Sequence, residues 1–267
     1  MSVSLVVYRP SCPLLERTLS TLDIALDRLA GPDRNARAFL YLVNNGTDER
    51  IDWADFADQP RLQTTVIEGQ GNVGYGRGHN LAIERTSSRY HLILNPDIEV
   101  DTDAFVRAIA FLDAYPDIGL VTPMIVDEIE DQQYLCRRYP TILDLFVRGF
   151  LPAGVRCHFA TRLARYEMRD VIGAEQVVMD PPIVSGCFML FRTEVLKKLG
   201  GFDPRYFLYF EDYDLSLRTH DVARIAYVPS VRVLHHGGDA ARKSFTHIKL
   251  FATSAFRFFN RFGWKWL

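Results

Sequence analysis

The first 124 residues alternate between two hydrophobic rhythms. Short apolar runs at residues 5–8, in AFLYLVNNG, in QTTVIE and in YHLILNPD have the β-branched and aromatic content of buried strands. Between the first two, Leu15, Leu19, Leu22, Leu26 and Leu29 recur at three- and four-residue steps, an amphipathic helix that Gly31-Pro32 ends. Further helices are expected through about Arg85 and in DAFVRAIAFLDAYP. This alternation predicts an α/β fold with a mostly parallel central sheet flanked by helices, binding its ligands outside the carboxyl ends of the strands. The second half loses the rhythm. YPTILDLFVRGFLPAGVRCHFATRLARYEM reads as irregular and aromatic, PIVSGCFMLF as a short buried stretch, and TEVLKKLGGFD as a helix. No repeat or low-complexity linker intervenes, so the second half is expected to complete the same domain.

Composition narrows the class. With 267 residues, 48% of them hydrophobic, the chain can bury a sizeable core. A formal charge of -2 gives no basic field for nucleic acid. Cys12, Cys136, Cys157 and Cys187 stand far apart without zinc-type spacing, so reduced thiols and a cytoplasmic chain are expected. The opening MSVSLVVYRP reaches Arg9 too soon for a signal peptide, and no run approaches the roughly 18 apolar residues of a membrane span.

Four stretches carry candidate chemistry. In GQGNVGYGRGHN, Gly69, Gly71 and Gly74 have the G-x-G-x-x-G spacing of a dinucleotide loop. Two strands and a helix precede the loop, however, whereas a Rossmann turn follows the first strand. Gly76 and Gly78 extend the loop, so any phosphate would suit it, and turns alone would also explain the glycines. LILNPDIEV delivers Asp97 at a strand's carboxyl end, suited to a hard divalent ion or to capping the next helix. In YFLYFEDYDLSLR, Glu211, Asp212 and Asp214 sit among aromatics that would raise a carboxylate's pKa. If Glu211 opens a helix, Asp212 points into the cleft as a base, with helix capping the alternative role. VLHHGG ends a strand-like stretch with His235 and His236, of which one would face the cleft as a metal ligand and the other away from it.

Taken in order, VVYRP, NNGT, NVGYGRGHN, LNPDIEV, SGCFMLFRTEVLKKLGGFDPRYFLYFEDYDLSLR and VLHHGG resemble family 2 glycosyltransferases of the GT-A fold, and within them the rhamnosyltransferase-like branch. The resemblance implies an inverting transfer of a sugar, L-rhamnose from dTDP-L-rhamnose or a sugar from a UDP donor, to a hydroxyl of a glycan or lipid-linked glycan. It divides the single domain of residues 1–267 into a nucleotide-sugar half at 1–124, an acceptor and catalytic half at 125–240, and a C-terminal segment at 241–267. It assigns Asp97 and His235 to a divalent Mg2+ or Mn2+, with Asn95 where the family's D-x-D motif often has its first acid. It makes Asp212 the base, with Glu211 beside it. Val7, Tyr8, Asn44 and Asn45 match the nucleotide pocket, with Asn44 where many relatives carry an aspartate. Asn72, Gly74, Gly78 and Asn80 match the loop around nucleotide and sugar.

The stretch IKLFATSAFRFFNRFGWKWL interleaves aromatic with basic residues, a composition for a membrane interface, although a helix packed on the domain or an oligomer contact would also use it. On the interfacial reading the chain is peripheral at the inner face of the cell membrane. Rival classes are a nicotinamide oxidoreductase, which would need no metal, and a non-catalytic carbohydrate-binding or scaffold protein, which would not need Asp97 and Asp212.

Overall fold

The computed structural model describes residues 1–33, 35–46, 59–237 and 245–267. Gly238 and residues 241–244 of the C-terminal segment lie outside them. The first half follows the predicted alternation: β1 (Ser2–Val7), α1 (Cys12–Ala30), β2 (Ala38–Asn44), β3 (Leu62–Ile67), α2 (Tyr75–Arg85), β4 (Tyr90–Leu94), β5 (Ile98–Val100) and α3 (Ala104–Ala114). Then come β6 (Ile118–Val126), α4 (Ile142–Phe150), α5 (Ala153–Arg156), α6 (Ala160–Tyr166), β7 (Val178–Met179), β8 (Phe188–Arg192), α7 (Thr193–Lys198), α8 (Glu211–Thr219), β9 (Arg224–His235) and α9 (Phe245–Phe262).

One nine-stranded sheet runs β3-β2-β1-β4-β8-β6-β9-β5, with β7 on β9. The strands β3, β2, β1 and β4 are parallel, so Asn44, Ile67 and the residues following Val7 and Leu94 emerge at one edge. Beyond β4 the sheet is mixed. β8 is antiparallel to both β4 and β6, while β6 and β9 are parallel to one another. The geometry therefore returns the start of β8 and the end of β9 to the edge where β4 ends, so Cys187 and His235 lie beside Asn95 and Asp97. Half of the eight strand pairings are antiparallel.

The main core fills the space between the sheet and α1 and α3, where Leu15, Leu19, Leu22, Leu26, Phe105 and Leu112 are buried. Beneath α2, buried hydrogen bonds link Thr86, Ser2, His91, Ser4 and His79 in sequence. Burial holds both imidazoles in the neutral state, with His91 pushed down to about 3. This network pins α2, and with it the glycine loop, to β1 and β4.

The stretch that reads as irregular in sequence is largely helical. Thr141 caps α4 by accepting from the Asp144 amide, and Asp144 accepts from the Thr141 amide in return. This capping box is visible in the sequence as T-I-L-D, a signal hidden by the surrounding aromatics. A third core joins this region to the C-terminal helix, where Leu145, Ile183, Tyr206, Phe210, Phe258 and Phe259 are buried together.

Candidate active site

Asp97 and His235 converge at the shared sheet edge. The antiparallel pairing of β5 with β9 puts Ile98 opposite His235, and the His236 amide donates to the Asp97 carbonyl at 3.0 Å. Alternation along β9 then sends the two histidines to opposite faces. His236 lies between Glu99 and Glu128, at 2.6 and 2.7 Å. The Nε2 of His235 faces Oδ1 of Asp97 at 3.6 Å.

Gln133 fixes the state of the His235 ring. Its amide nitrogen donates to the His235 carbonyl, so its Oε1 accepts from Nδ1 of the ring at 2.9 Å. Nε2, the ring nitrogen not engaged by Gln133, faces a carboxylate oxygen of Asp97 that is itself buried and has no hydrogen-bond partner. A carboxylate oxygen and an imidazole nitrogen facing each other at this spacing fit a cation, and an imidazole oriented through its other nitrogen is the usual support for a metal ligand. Among the described residues no third histidine, cysteine or acid joins the pair, so further ligands would come from substrate or water.

The acidic pair opens α8. Tyr209 and Phe210 both adopt left-handed backbone, with φ of 70° and 64°, just before Glu211. Such conformations cost a bulky side chain on the order of 1–3 kcal/mol each and persist only where packing over-determines them. Here the Phe210 ring lies 5.2 Å from Phe251 and 5.2 Å from Phe258, both on α9, and 5.1 Å from Tyr213. The reversal aims the first turn of α8 at the sheet edge. There Asp212 accepts from the Gly186 amide through Oδ2 at 3.0 Å and from the Tyr213 amide through Oδ1 at 2.9 Å.

Environment separates the two acids. Burial raises both, but backbone amides and the positive charge of Arg137 favour the ionised form of Asp212. Glu211 is 5% exposed, has an Oε2 without a partner, and is pushed up to about 8 by burial and then by Asp212. The pair is coupled, and the amides favour charge on Asp212 while Glu211 has none to offset its burial. Asp214, the third acid, is engaged structurally, bound by Arg218 at 2.6 Å and by Arg261 of α9 at 2.8 Å.

A cavity of about 550 Å³ opens over the pair, walled by α4, the first turn of α8 and α9, with Glu211, Asp212 and Ser185 in its lining. The Tyr75 hydroxyl, kept protonated by burial, lies within hydrogen-bond distance of the Gly186 carbonyl and of the Asn95 side chain, at 2.7 and 3.0 Å. It ties the glycine loop, the Asn95-Pro96-Asp97 turn and the β8 approach into one unit.

The remaining predicted residues line the other end of the edge. Val7 is buried, its carbonyl accepting from the Asn45 amide, while Tyr8 stands 52% exposed. Asn44 turns its side chain onto the Gly46 amide, and Asn45 donates to the Gly74 carbonyl. Asn72 accepts from the Gly74 amide. Gly74 has φ of 90° and lies so close to the 202–210 segment that a Cβ would stand 2.3 Å from the Phe207 carbonyl oxygen. Gly78 packs against Val6, and Asn80 clasps the Phe202 backbone through both ends of its amide. Those contacts of Asn80 belong to a brace between α2 and the turn after α7. Sequence reasoning missed Gln133, Tyr75 and Gly186. Only Tyr75 carried a signal, as a lone aromatic within a glycine run.

A family model described as glycosyltransferase-like family 2 matches residues 17–253. The chain belongs to glycosyltransferase family 2. This glycosyltransferase is 26% identical over 282 residues to the N-acetylglucosaminyl-diphospho-decaprenol L-rhamnosyltransferase of Mycobacterium tuberculosis, an alignment covering 99% of this chain and 86% of that one. It is 27% identical over 207 residues to the rhamnosyltransferase WbbL of Escherichia coli K12, covering 72% of each. In fold it is similar to the mannosyltransferase PcManGT from Pyrobaculum calidifontis, solved in complex with GDP-Man and Mn2+, with a TM-score of 0.58, 17% identity, and 90% of this chain against 57% of that one. The glycosyltransferase thus has the mixed α/β GT-A architecture.

Proposed function

We propose that this glycosyltransferase moves L-rhamnose from dTDP-L-rhamnose to a hydroxyl of a glycan or lipid-linked glycan, with inversion at the anomeric carbon and with help from Mg2+ or Mn2+. The observation that carries the reading is the placement, on one sheet edge, of Asp97 facing His235 beside the buried Glu211 and the amide-held Asp212. Both curated relatives named above are rhamnosyltransferases, which supports the sugar, and the PcManGT complex with Mn2+ supports a metal.

Asp97 and His235 would hold the ion, oriented by Gln133. The ion would supply charge neutralisation at the departing diphosphate. Val7, Tyr8, Asn44 and Asn45 would border the nucleotide, and Asn72, Gly74, Gly78, Asn80 and Asn95 the loop and turn around it. Asp212 accepts the acceptor's proton as its oxygen attacks, held in line by the Gly186 and Tyr213 amides. Glu211, neutral below about 8, offers a hydrogen bond to a sugar oxygen without adding charge.

Calorimetric titration with dTDP and with UDP, each in Mn2+ and then in EDTA, tests this. The expected result is Mn2+-dependent dTDP binding that Asp97→Ala abolishes and Asp212→Asn preserves while sugar transfer is lost. Preference for UDP would replace the donor, and nucleotide binding indifferent to both metal and Asp97 would remove the reading.

The protein is expected to act at the inner face of the cell membrane. Among the described residues no helix is long and apolar enough to cross a membrane. Although α9 buries Phe258 and Phe259, it leaves Phe245 83% and Phe256 59% exposed, and Trp266 beyond its end is 66% exposed. Such aromatics interleaved with Lys249, Arg257 and Lys265 suit an anionic interface.

A further inference from the structure

Gly186 is a bare stretch of backbone between two side chains of the site. Its amide donates to Oδ2 of Asp212 at 3.0 Å, and its carbonyl accepts from the Tyr75 hydroxyl at 2.7 Å. A Cβ built at Gly186 would stand 3.3 Å from the Asp212 Cβ and 3.4 Å from the Tyr75 hydroxyl, so the glycine is sandwiched between the two residues. Glycine has the widest backbone freedom of any residue, and the direction of its amide is set by whatever holds the neighbouring peptides. On the β8 side the Cys187 carbonyl is held by the Asn95 amide at 2.9 Å. The Gly186 carbonyl is held by Tyr75.

The ring of Tyr75 and its hydroxyl have separable duties. The ring packs on the core, 4.5 Å from the His79 ring and 5.9 Å from that of Phe202, while the Tyr75 amide donates to the Phe207 carbonyl at 3.0 Å. A phenylalanine would keep all of these contacts. The hydroxyl serves other partners, Gly186 and, at 3.0 Å, the Asn95 side chain. A phenol carries one proton, and the shorter contact is to Gly186. Burial, and then the neighbouring Cys187, Glu211 and Asp212, keep that proton on the oxygen.

We propose that Tyr75 is a positioning residue for sugar transfer: by fixing the Gly186 carbonyl it aims the Gly186 amide at Asp212, and so sets the base against the acceptor hydroxyl. This rests on the reading of Asp212 as the base. The hydroxyl acts through the backbone and exchanges no proton with substrate. A residue of the glycine loop thereby governs the geometry of an acid 137 positions further along the chain.

Tyr75→Phe removes the oxygen and leaves the ring. Hydrogen exchange of single amides, followed by NMR, reads the hold directly. The Gly186 amide is expected to exchange at least about 5-fold faster in the variant, while the Phe202 amide, bound to Asn80 beside the same ring, exchanges as in the parent. Kinetics reads the consequence. With dTDP-L-rhamnose, Mn2+ and N-acetylglucosaminyl-diphospho-decaprenol, the compound in the mycobacterial relative's name, kcat is expected to fall at least about 10-fold, with KM for both substrates within about 2-fold of the parent's. Unchanged exchange at Gly186, equal acceleration at Phe202, or a rise in KM with kcat intact would each overturn the proposal. Asp212→Asn, assayed in parallel, separates the two readings. Transfer retained in it would remove the base and the positioning role together, whereas transfer lost there but kept at the parent's rate in Tyr75→Phe would overturn the positioning role alone.

Discussion

Glu211 and Asp212 are adjacent in sequence and chemically identical but for one methylene, yet the fold sets them in different environments. Asp212 receives two backbone amides, whereas Glu211 receives no partner at Oε2. The difference has a thermodynamic signature. The Glu211 carboxyl rises from 4.5 to about 8 on folding, so between those values the folded chain retains a proton that the unfolded chain has released. Stability is therefore greatest, as far as this group decides it, below the lower value and falls as pH rises toward the upper one. Glu211→Gln is expected to flatten that decline, as measured by denaturant unfolding at about pH 5 and about pH 8. A decline of unchanged steepness would mean that the proton does not reside there. The acids were legible in the sequence because aromatics crowd around them. Their inequality was not, since it depends on an amide at Gly186, 26 positions away. Gln133 escaped for the same reason: it acts on His235 from 102 positions upstream, and no local pattern announces it.

At the scale of elements, spacing located the parallel half of the sheet well, where each strand precedes a helix and the apolar periods differ. β6 was harder to see, because its nine residues are all buried and show no alternation. The helices after Thr141 were masked by aromatics that serve a cavity wall. The glycine loop shows how literal a motif can be while its meaning changes. Gly69, Gly71 and Gly74 all have positive φ, a conformation that favours glycine. At Gly74 the need is doubled by the Phe207 carbonyl, which the Tyr75 amide also uses at 3.0 Å. Gly74→Ala is expected to destabilise the fold by about 1–3 kcal/mol and to weaken nucleotide binding, because relief requires the 202–210 segment to move. Thermal unfolding and dTDP titration of the variant measure both, and a variant as stable as its parent would show that the loop and segment are not locked together.

At the scale of the whole molecule the cavity over Glu211 and Asp212 adjoins the sheet edge that holds Asp97 and His235, and Phe150 of α4 is at its wall. If that side meets a bilayer, the two halves of the reaction draw their substrates from different phases. Phe256→Ser with Trp266→Ser is expected to abolish flotation with anionic vesicles while leaving nucleotide binding intact. Flotation unaffected by these changes would return the exposed rings to an oligomer contact. Neither the sheet topology nor the cavity was legible from sequence as a shape, because both depend on β8 and α9 crossing long stretches of chain to close them.

The left-handed pair Tyr209-Phe210 leans on Phe251 and Phe258, residues translated after every other part of the site. A nascent chain that has emerged only through His235 already contains every strand of the sheet, while the turn before Asp212 still lacks the rings that pack on it. The conformation of that turn is thus conditional on the C-terminal helix, while the register of the sheet is not.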